Sequence, residues 1–177
     1  MKKVVVIGPE STGKSTLCEQ LADYYKTTWV PEYAREYLTV NGTNYTYDDL
    51  LTIAQGQVTL EESYIEKAKD VPLLFIDTDQ YVMKVWGQFV FGKCHQWTLD
   101  QITKRKYDLY LLCNIDLPWA YDVLREYPDP GPREELYKIY RNLMLNQPVP
   151  WVEISGNYEE RFQKAINAVN DLLLTVK

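Results

Sequence analysis

The residues with the clearest chemical potential lie in the stretch GPESTGKST, positions 8–16. Gly8 and Gly13 enclose four residues, and Lys14 and Ser15 follow, which completes the phosphate-loop pattern G-x-x-x-x-G-K-[ST]. Glycines let the backbone curl so that successive N–H groups converge on phosphate oxygens. In this pattern the lysine reaches the β- and γ-phosphates, and the hydroxyl after it binds Mg²⁺. The stretch therefore predicts a site for ATP and Mg²⁺.

A second chemical signal is the pair Asp77 and Asp79, which follows the apolar run LLFI. An acid at the end of a buried strand, in a chain with a phosphate loop, is the expected second partner of Mg²⁺. Helix capping by either aspartate is the alternative. We predict that Asp77 is the metal ligand beside Ser15, and that Asp79 or Glu32 is the catalytic base, because a single histidine leaves carboxylates as the main candidates.

Arg125 and Arg133 flank a stretch that contains Pro128, Pro130 and Pro132. Arginines on a loop that faces a phosphate loop can clamp a phosphoryl group during its transfer. Two solvated arginines would be the ordinary alternative. A surface pair of Arg133 with its glutamate neighbours would weaken its role further.

The elements that must position these residues alternate between strand and helix. Strands are predicted at 4–7, 27–30, 72–77, 109–113 and 149–154, and helices at 15–26, 33–39, 47–69, 79–89, 98–105, 134–145 and 158–175, with capping boxes at Thr46 and Thr98. This alternation gives an α/β fold with a parallel sheet and helices on both faces. Ligands bind such sheets at the carboxyl ends of the strands, so the turn at 155–158 could either touch an adenine ring or simply be capped by Asn157.

Composition limits the class of protein. The chain has 177 residues and a net charge of −6, which argues against nucleic acid as the main partner. No stretch approaches a membrane span, and three widely spaced cysteines indicate reduced thiols and a cytoplasmic protein. We expect a small-molecule substrate, and the sequence leaves the oligomeric state open.

Five segments match one family in order: GPESTGKSTL, VPEYAREYL, YDDLLTIAQGQ, FIDTD and YDLYLLCNIDLPWAYDVLRE. They resemble the ribosylnicotinamide kinase domain of NadR-type proteins, a P-loop kinase related to nucleoside and nucleotide kinases. The resemblance implies transfer of the ATP γ-phosphate to the ribose 5′-hydroxyl of nicotinamide riboside, a Mg²⁺ requirement, and a role in NAD salvage. It also implies the strand order 2-3-1-4-5.

The resemblance also implies site residues. Its phosphate loop falls on Gly8, Glu10, Ser11, Thr12, Gly13, Lys14, Ser15 and Thr16; its substrate-binding residues fall on Glu32, Tyr33, Arg35, Asp116 and Trp119; its lid arginine falls on Arg125. Arg133 is expected to contact ATP as well. The nicotinamide ring is a cation, so stacking on Trp119 would be favourable, although a core tryptophan is the alternative. Asp122–Val123 departs from the Asp-Gly of other members, which leaves the backbone geometry of the lid open.

We therefore expect one P-loop kinase domain over residues 1–177, with a lid at about 119–134 and without the adenylyltransferase domain of larger relatives. Two alternatives stay open: a kinase of another nucleoside, and an NTP-binding regulatory module that transfers nothing. A lid that supplies an arginine would favour a kinase over a binding module.

Overall fold

The computed structural model describes residues 1–174 and has a five-stranded parallel sheet at its centre. The strands are β1 (Lys2–Ile7), β2 (Thr28–Val30), β3 (Leu73–Asp77), β4 (Leu109–Cys113) and β5 (Trp151–Ile154). Their order is β2-β3-β1-β4-β5 and every neighbouring pair is parallel. The predicted α/β class and strand order are confirmed. β1, which leads into the phosphate loop, lies at the middle of the sheet.

Seven helices in this described part of the chain cover the two faces of the sheet. They are α1 (Lys14–Tyr25), α2 (Tyr33–Asn41), α3 (Tyr47–Lys67), α4 (Gln80–Phe91), α5 (Gln96–Lys104), α6 (Pro130–Leu145) and α7 (Tyr158–Leu174). Alternate residues of β1 point to opposite faces. Val4 and Val6 pack with α1 and α7, whereas Val5 and Ile7 pack with α4 and α6. β1 is buried on both faces, which explains its continuous apolar sequence.

Local signals located most of the helix boundaries. The Thr46 capping box at the start of α3 is confirmed, because Thr46 Oγ1 accepts from the Asp49 N–H at 3.3 Å and the Thr46 N–H donates to Asp49 Oδ2 at 2.7 Å. The turn before α7 is likewise capped by Asn157, whose Oδ1 accepts from the Glu160 N–H at 3.0 Å. The predicted end of α7 at residue 175 lies outside the described residues.

Two predicted helix starts are wrong. α5 begins at Gln96 after His95, and Thr98 is a buried residue inside its first turn and not its cap. α6 begins at Pro130, four residues earlier than predicted. Proline is favoured at the first helical position because its missing N–H has no partner there anyway. Pro130 and Pro132, two of the three prolines that were predicted to stiffen a loop, therefore lie in the first turn of α6. Residues 119–129 of the predicted lid form no helix or strand, and we call them the 119–129 loop.

Candidate active site

The phosphate loop connects β1 to α1 and has the curled backbone that its sequence predicts. Gly8 has φ +141° and Gly13 has φ +75°, values that side chains other than glycine rarely allow. A Cβ at Gly8 would lie 2.7 Å from the Cys113 carbonyl oxygen. Inside the loop, Thr12 Oγ1 and Lys14 Nζ both donate to the Pro9 carbonyl oxygen, at 2.8 and 2.9 Å. These contacts hold the loop in its curled conformation, and α1 begins at Lys14, where no described side chain caps the first N–H groups.

Arg161 supports the phosphate loop from behind. Its guanidinium is buried and donates to the carbonyl oxygens of Thr12 at 2.9 Å and of Asn114 at 2.7 Å, and it forms an ion pair with Asp116. Asp116 also accepts from the Gly156 N–H at 2.5 Å. Partial burial tends to raise the pKa of Asp116, but this hydrogen bond and the ion pair outweigh it and hold the pKa below its ordinary value. Asp116 was predicted to bind substrate, but the structure places it in this support, outside the cavity.

Ser15 and Asp77 meet beneath the loop as predicted for a metal site. Ser15 Oγ donates to Asp77 Oδ2 at 2.5 Å. Asp77 is 1% exposed, and its Oδ1 is a buried acceptor without a hydrogen-bond partner among the described residues. Burial and the nearby charge of Glu32 raise the pKa of Asp77, while Lys14 acts in the opposite direction.

An unsatisfied buried carboxylate oxygen beside a hydroxyl is a suitable donor set for Mg²⁺, which binds one or two protein oxygens together with phosphates and water. The described residues contain no cluster of three or more His, Cys, Asp or Glu side chains suited to a metal. The ion would therefore rely on phosphate oxygens for the rest of its ligands.

A cavity of about 220 Å³ opens in front of the phosphate loop and has two unlike sides. One side is polar and consists of the phosphate loop together with Glu32, Arg35 and Arg125. The remaining lining is largely apolar and includes residues of α4 and α6, namely Val82, Val85, Trp86, Phe89, Leu136 and Tyr140. Such a cavity can hold a molecule that presents a phosphate at one end and a flat apolar ring at the other.

Three predicted site residues, from two distant parts of the chain, come together at the polar side. Glu32 is the residue before α2 and directly follows the turn after β2. Arg35 lies in the first turn of α2. It donates to Asp122 Oδ2 at 3.0 Å and so contacts the 119–129 loop. Arg125 lies in that loop and lines the same cavity. A carboxylate and two guanidinium groups thus lie beside the phosphate loop.

Asp79 is placed in the capping role. It is 2% exposed, and it is the N-cap of α4, where its Oδ1 accepts from the Tyr81 N–H at 2.9 Å. Its Oδ2 accepts from the Tyr110 hydroxyl at 2.7 Å. Both oxygens are engaged away from the cavity, so of the two candidate bases only Glu32 lines it.

Tyr33 and Trp119 were predicted to bind substrate, and the structure places both elsewhere. The Tyr33 ring packs on Gly56 of α3, where an added Cβ would lie 2.0 Å from a ring carbon, and the Tyr33 N–H donates to Gln57 Oε1 at 2.7 Å. Trp119 is half-buried, and its Nε1 donates to Glu10 Oε1 at 3.2 Å. Trp119 therefore contacts the phosphate loop from the 119–129 loop and is not among the residues that line the cavity.

The predicted position of Arg133 in a loop is wrong. It lies in the first turn of α6 and is buried, neither in a loop nor solvated. Its Nη2 makes long hydrogen bonds to the carbonyl oxygens of Ser11 at 3.5 Å and Leu117 at 3.4 Å. The described contacts of Arg133 include no surface ion pair with the neighbouring glutamates. Its hydrogen bond to Ser11 instead connects α6 to the phosphate loop.

The apolar wall of the cavity was not predicted from the sequence. Val82, Val85, Trp86 and Phe89 follow the i, i+3, i+4, i+7 spacing of one helix face. A helix was predicted there, at a strand end where ligands bind, so this spacing was the available signal. Trp86 carries a further link, because its Nε1 donates to the Tyr45 hydroxyl at 2.8 Å and the two rings meet edge to face.

The pKa of Asp79 predicts a pH dependence of stability. Burial raises this pKa from 3.8 to about 6. Between these values the folded state binds more protons than the unfolded chain, so the free energy of unfolding falls as the pH rises across the interval. Asp79→Asn removes this contribution and keeps a capping oxygen. Urea unfolding at about pH 4 and about pH 7 should show a smaller loss of stability in the variant than in the parent; equal losses would contradict the assignment.

Comparison with known proteins gives consistent matches. Residues 3–161 match a protein family described as "AAA domain". The chain is 27% identical over 178 aligned residues to the trifunctional NAD biosynthesis/regulator protein NadR of Escherichia coli, and the alignment covers 98% of this chain and 43% of that protein. The chain is homologous to NadR and spans less than half the length of the curated relatives it matches.

Solved structures support the fold. A crystal structure of NadR protein in complex with NR superimposes with a TM-score of 0.77 at 24% identity, covering 97% of this chain and 49% of that one. Deoxyadenosine kinase from M. mycoides superimposes with a TM-score of 0.61 at 14% identity, covering 96% and 99%. The chain therefore has the fold shared by NadR and this nucleoside kinase. In the described part of the chain, no helix has the length and apolarity needed to cross a membrane.

Proposed function

The chain belongs to the AAA domain family of P-loop proteins, and on this premise we propose that it is a kinase that transfers the γ-phosphoryl group of ATP to the ribose 5′-hydroxyl of nicotinamide riboside, with Mg²⁺. The observation that carries the proposal is the cavity itself, which is lined both by the phosphate loop and by an apolar wall that includes Trp86. The homology to NadR and the NR complex of that protein support the choice of acceptor. The product would be nicotinamide mononucleotide.

Several polar residues in and beside the cavity have a role in this proposed reaction. Lys14 and the N–H groups of the phosphate loop bind the phosphates of ATP. Ser15 and Asp77 would hold Mg²⁺, which supplies charge neutralisation on the phosphates when bound. Glu32 accepts the proton of the attacking hydroxyl, and Arg125 stabilises the negative charge of the phosphoryl group in transit. The 119–129 loop, which carries Arg125, acts as the lid.

The acceptor ring lies on the apolar wall in this proposal. Nicotinamide riboside carries a pyridinium cation, and a cation is attracted to the face of an aromatic ring, most strongly to tryptophan. Trp86 and Phe89 belong to the apolar part of the cavity lining. Trp86 therefore takes the stacking role that the sequence had suggested for Trp119.

The proposed setting is the cytoplasm, and the proposed partner is a small molecule. Among the described residues, Cys18, Cys94 and Cys113 are all free thiols, and two of them are buried. Free thiols are typical of reducing compartments. The net charge of −6 gives no reason to expect nucleic acid as a ligand.

ADP formation measured against a panel of ribosides tests the proposal. We expect activity with nicotinamide riboside that exceeds the activity with adenosine, cytidine and other neutral ribosides. Higher activity with a neutral nucleoside would replace the acceptor and keep the kinase assignment. ATP binding without ADP formation across the whole panel would contradict it and favour a regulatory NTP-binding module.

Exchanging Trp86 tests the acceptor wall. Trp86→Leu keeps an apolar side chain and removes the aromatic face, so the KM for nicotinamide riboside should rise by roughly five- to thirtyfold, the equivalent of about 1–2 kcal/mol. The KM for ATP should change little. Trp119→Leu is the matched comparison, because Trp119 lies outside the cavity wall. An effect on the riboside KM from Trp119 and none from Trp86 would contradict this placement.

Exchanging the two carboxylates tests the base. Glu32→Gln keeps the shape of the side chain and removes its proton affinity, so kcat should fall by roughly 10²–10⁴. Asp79→Asn should leave kcat close to that of the parent, because both oxygens of Asp79 are engaged in the cap and with Tyr110. Single-turnover phosphorylation measures both variants. The reverse pattern would make Asp79 the base.

A further inference from the structure

Glu10 is a carboxylate inside a loop built to bind anions, and its contacts explain how it is accommodated. Its Oε1 accepts from the Tyr127 N–H at 2.7 Å and from Trp119 Nε1 at 3.2 Å. Its Oε2 accepts from the Glu126 N–H at 2.9 Å. Three donors from the 119–129 loop thus meet one side chain of the phosphate loop. Hydrogen bonds to a charged acceptor are among the stronger ones in proteins.

We propose that Glu10 is a positioning residue that clasps the 119–129 loop onto the phosphate loop and thereby holds Arg125 over the bound nucleotide. The proposal rests on the proposed function for the role of Arg125. Glu10 was predicted to bind the nucleotide as part of the phosphate loop. Its side chain instead binds the protein, which also keeps its negative charge occupied by N–H donors close to where phosphates bind.

The position of Arg125 in the chain makes this clasp specific. Glu126 and Tyr127 are the two residues directly after it, and the N–H groups of both are bound to Glu10. On the other side, the Arg125 N–H donates to the Asp122 carbonyl oxygen at 3.0 Å, and the guanidinium donates to the Ala120 carbonyl oxygen. The backbone on both sides of Arg125 is therefore held, so little orientational freedom remains to be lost when the transition state forms.

A second anchor connects the same loop to the apolar wall. The Tyr45 hydroxyl donates to Glu126 Oε2 at 2.9 Å and accepts from Trp86 Nε1 at 2.8 Å. Hydrogen bonds thus run from Trp86 through Tyr45 and Glu126 to Glu10. Through this path the proposed acceptor wall and the phosphate loop are both connected to Glu126 of the 119–129 loop.

Glu10→Gln is the test variant, because the amide keeps the size of the side chain but replaces one acceptor oxygen with a donor that faces N–H groups. We expect kcat to fall roughly ten- to hundredfold, the range expected for hydrogen bonds to a charged group. The dissociation constant of ATP should stay within several-fold. The matched control is Glu134→Gln, since Glu134 is an exposed residue of α6 outside the cavity. Unchanged kcat in Glu10→Gln would overturn the proposal.

A double-mutant cycle with Arg125→Ala separates positioning from a general structural effect. If Glu10 acts through Arg125, adding Glu10→Gln to Arg125→Ala should lower kcat little further, because the two changes remove the same interaction. Full additivity of the two losses would show that Glu10 acts elsewhere and would overturn the proposal. Thermal melting of every variant confirms that the protein is folded.

Amide hydrogen exchange tests the clasp without any substrate. At least one of the N–H groups of Glu126 and Tyr127 should exchange faster in Glu10→Gln than in the parent and in the Glu134→Gln control, because the amide leaves one acceptor oxygen where the carboxylate has two. Equal exchange in all three proteins would show that the clasp does not form. This measurement stays decisive even if the chain fails to phosphorylate ribosides, so failure of the clasp and failure of the proposed function can be told apart.

Discussion

Lys14→Ala is expected to lower kcat for riboside phosphorylation by roughly 10³-fold or more. Lys14 lies at the first position of α1, and its Nζ is held over the phosphate loop by the Pro9 carbonyl oxygen at 2.9 Å. An ammonium group there neutralises charge on the β- and γ-phosphates as the phosphoryl group leaves, and preorganised charge of this kind carries much of phosphoryl-transfer catalysis. Single-turnover phosphorylation on protein shown to be folded measures the loss.

The matched control for Lys14→Ala is Lys104→Ala, since Lys104 is exposed at the end of α5. This control should retain the activity of the parent. A folded Lys14→Ala variant with the kcat of the parent would rule out phosphoryl transfer at this loop.

Arg125→Ala should have an effect of similar size on kcat and a small effect on ATP binding. Removing an arginine that stabilises the transferring phosphoryl group can cost on the order of 10³-fold in rate. Because that charge is most strongly felt in the transition state, the dissociation constant of ATP should stay within several-fold. Single-turnover kinetics beside nucleotide titration separates the two quantities.

Arg141→Ala removes an exposed arginine of α6 that does not line the cavity, so it controls for the change in net charge. If Arg125→Ala weakens ATP binding as much as it lowers kcat, Arg125 is a ground-state ligand of the nucleotide and the lid role is lost. Unchanged kinetics in Arg125→Ala would favour a module that only binds NTP.

The sheet and the phosphate loop were predictable because their signals are local. An uninterrupted run of β-branched residues identifies β1, and two glycines at fixed spacing identify the turn after it. Helix starts were less secure where two signals competed. Thr98 has the spacing of a cap, yet the apolar surroundings of the first turn of α5 bury it.

The two acids after β3 show why a site cannot be completed from spacing alone. Asp77 ends the buried strand β3 and Asp79 lies two residues later; the pattern favoured Asp77 for Mg²⁺ and left Asp79 open between catalytic base and helix cap. Between them, Thr78 has φ +69°, a left-handed conformation that is uncommon for threonine. The chain turns at Thr78, so that Asp77 contacts Ser15 and Asp79 caps the N-terminus of α4. The spacing of the two acids does not indicate this turn.

Contacts between distant parts of the chain could not be predicted from the sequence. Glu10 and Glu126 are 116 positions apart in the sequence, and nothing in either segment indicates that one binds the other. Trp119 illustrates the same limit, because its position after a strand was right for a ligand and its indole nevertheless binds Glu10. The sequence does not show which tryptophan lines the cavity. In the structure Trp119 packs on the phosphate loop, and Trp86 lines the cavity.

The central claim is that this cavity transfers a phosphoryl group from ATP to an alcohol of a riboside. The most direct test is a single turnover with γ-labelled ATP, Mg²⁺ and nicotinamide riboside, followed by identification of the labelled product by mass. We expect label in nicotinamide mononucleotide, formed together with ADP and absent in Lys14→Ala. Label confined to ATP or to inorganic phosphate, with the riboside unchanged, would contradict it.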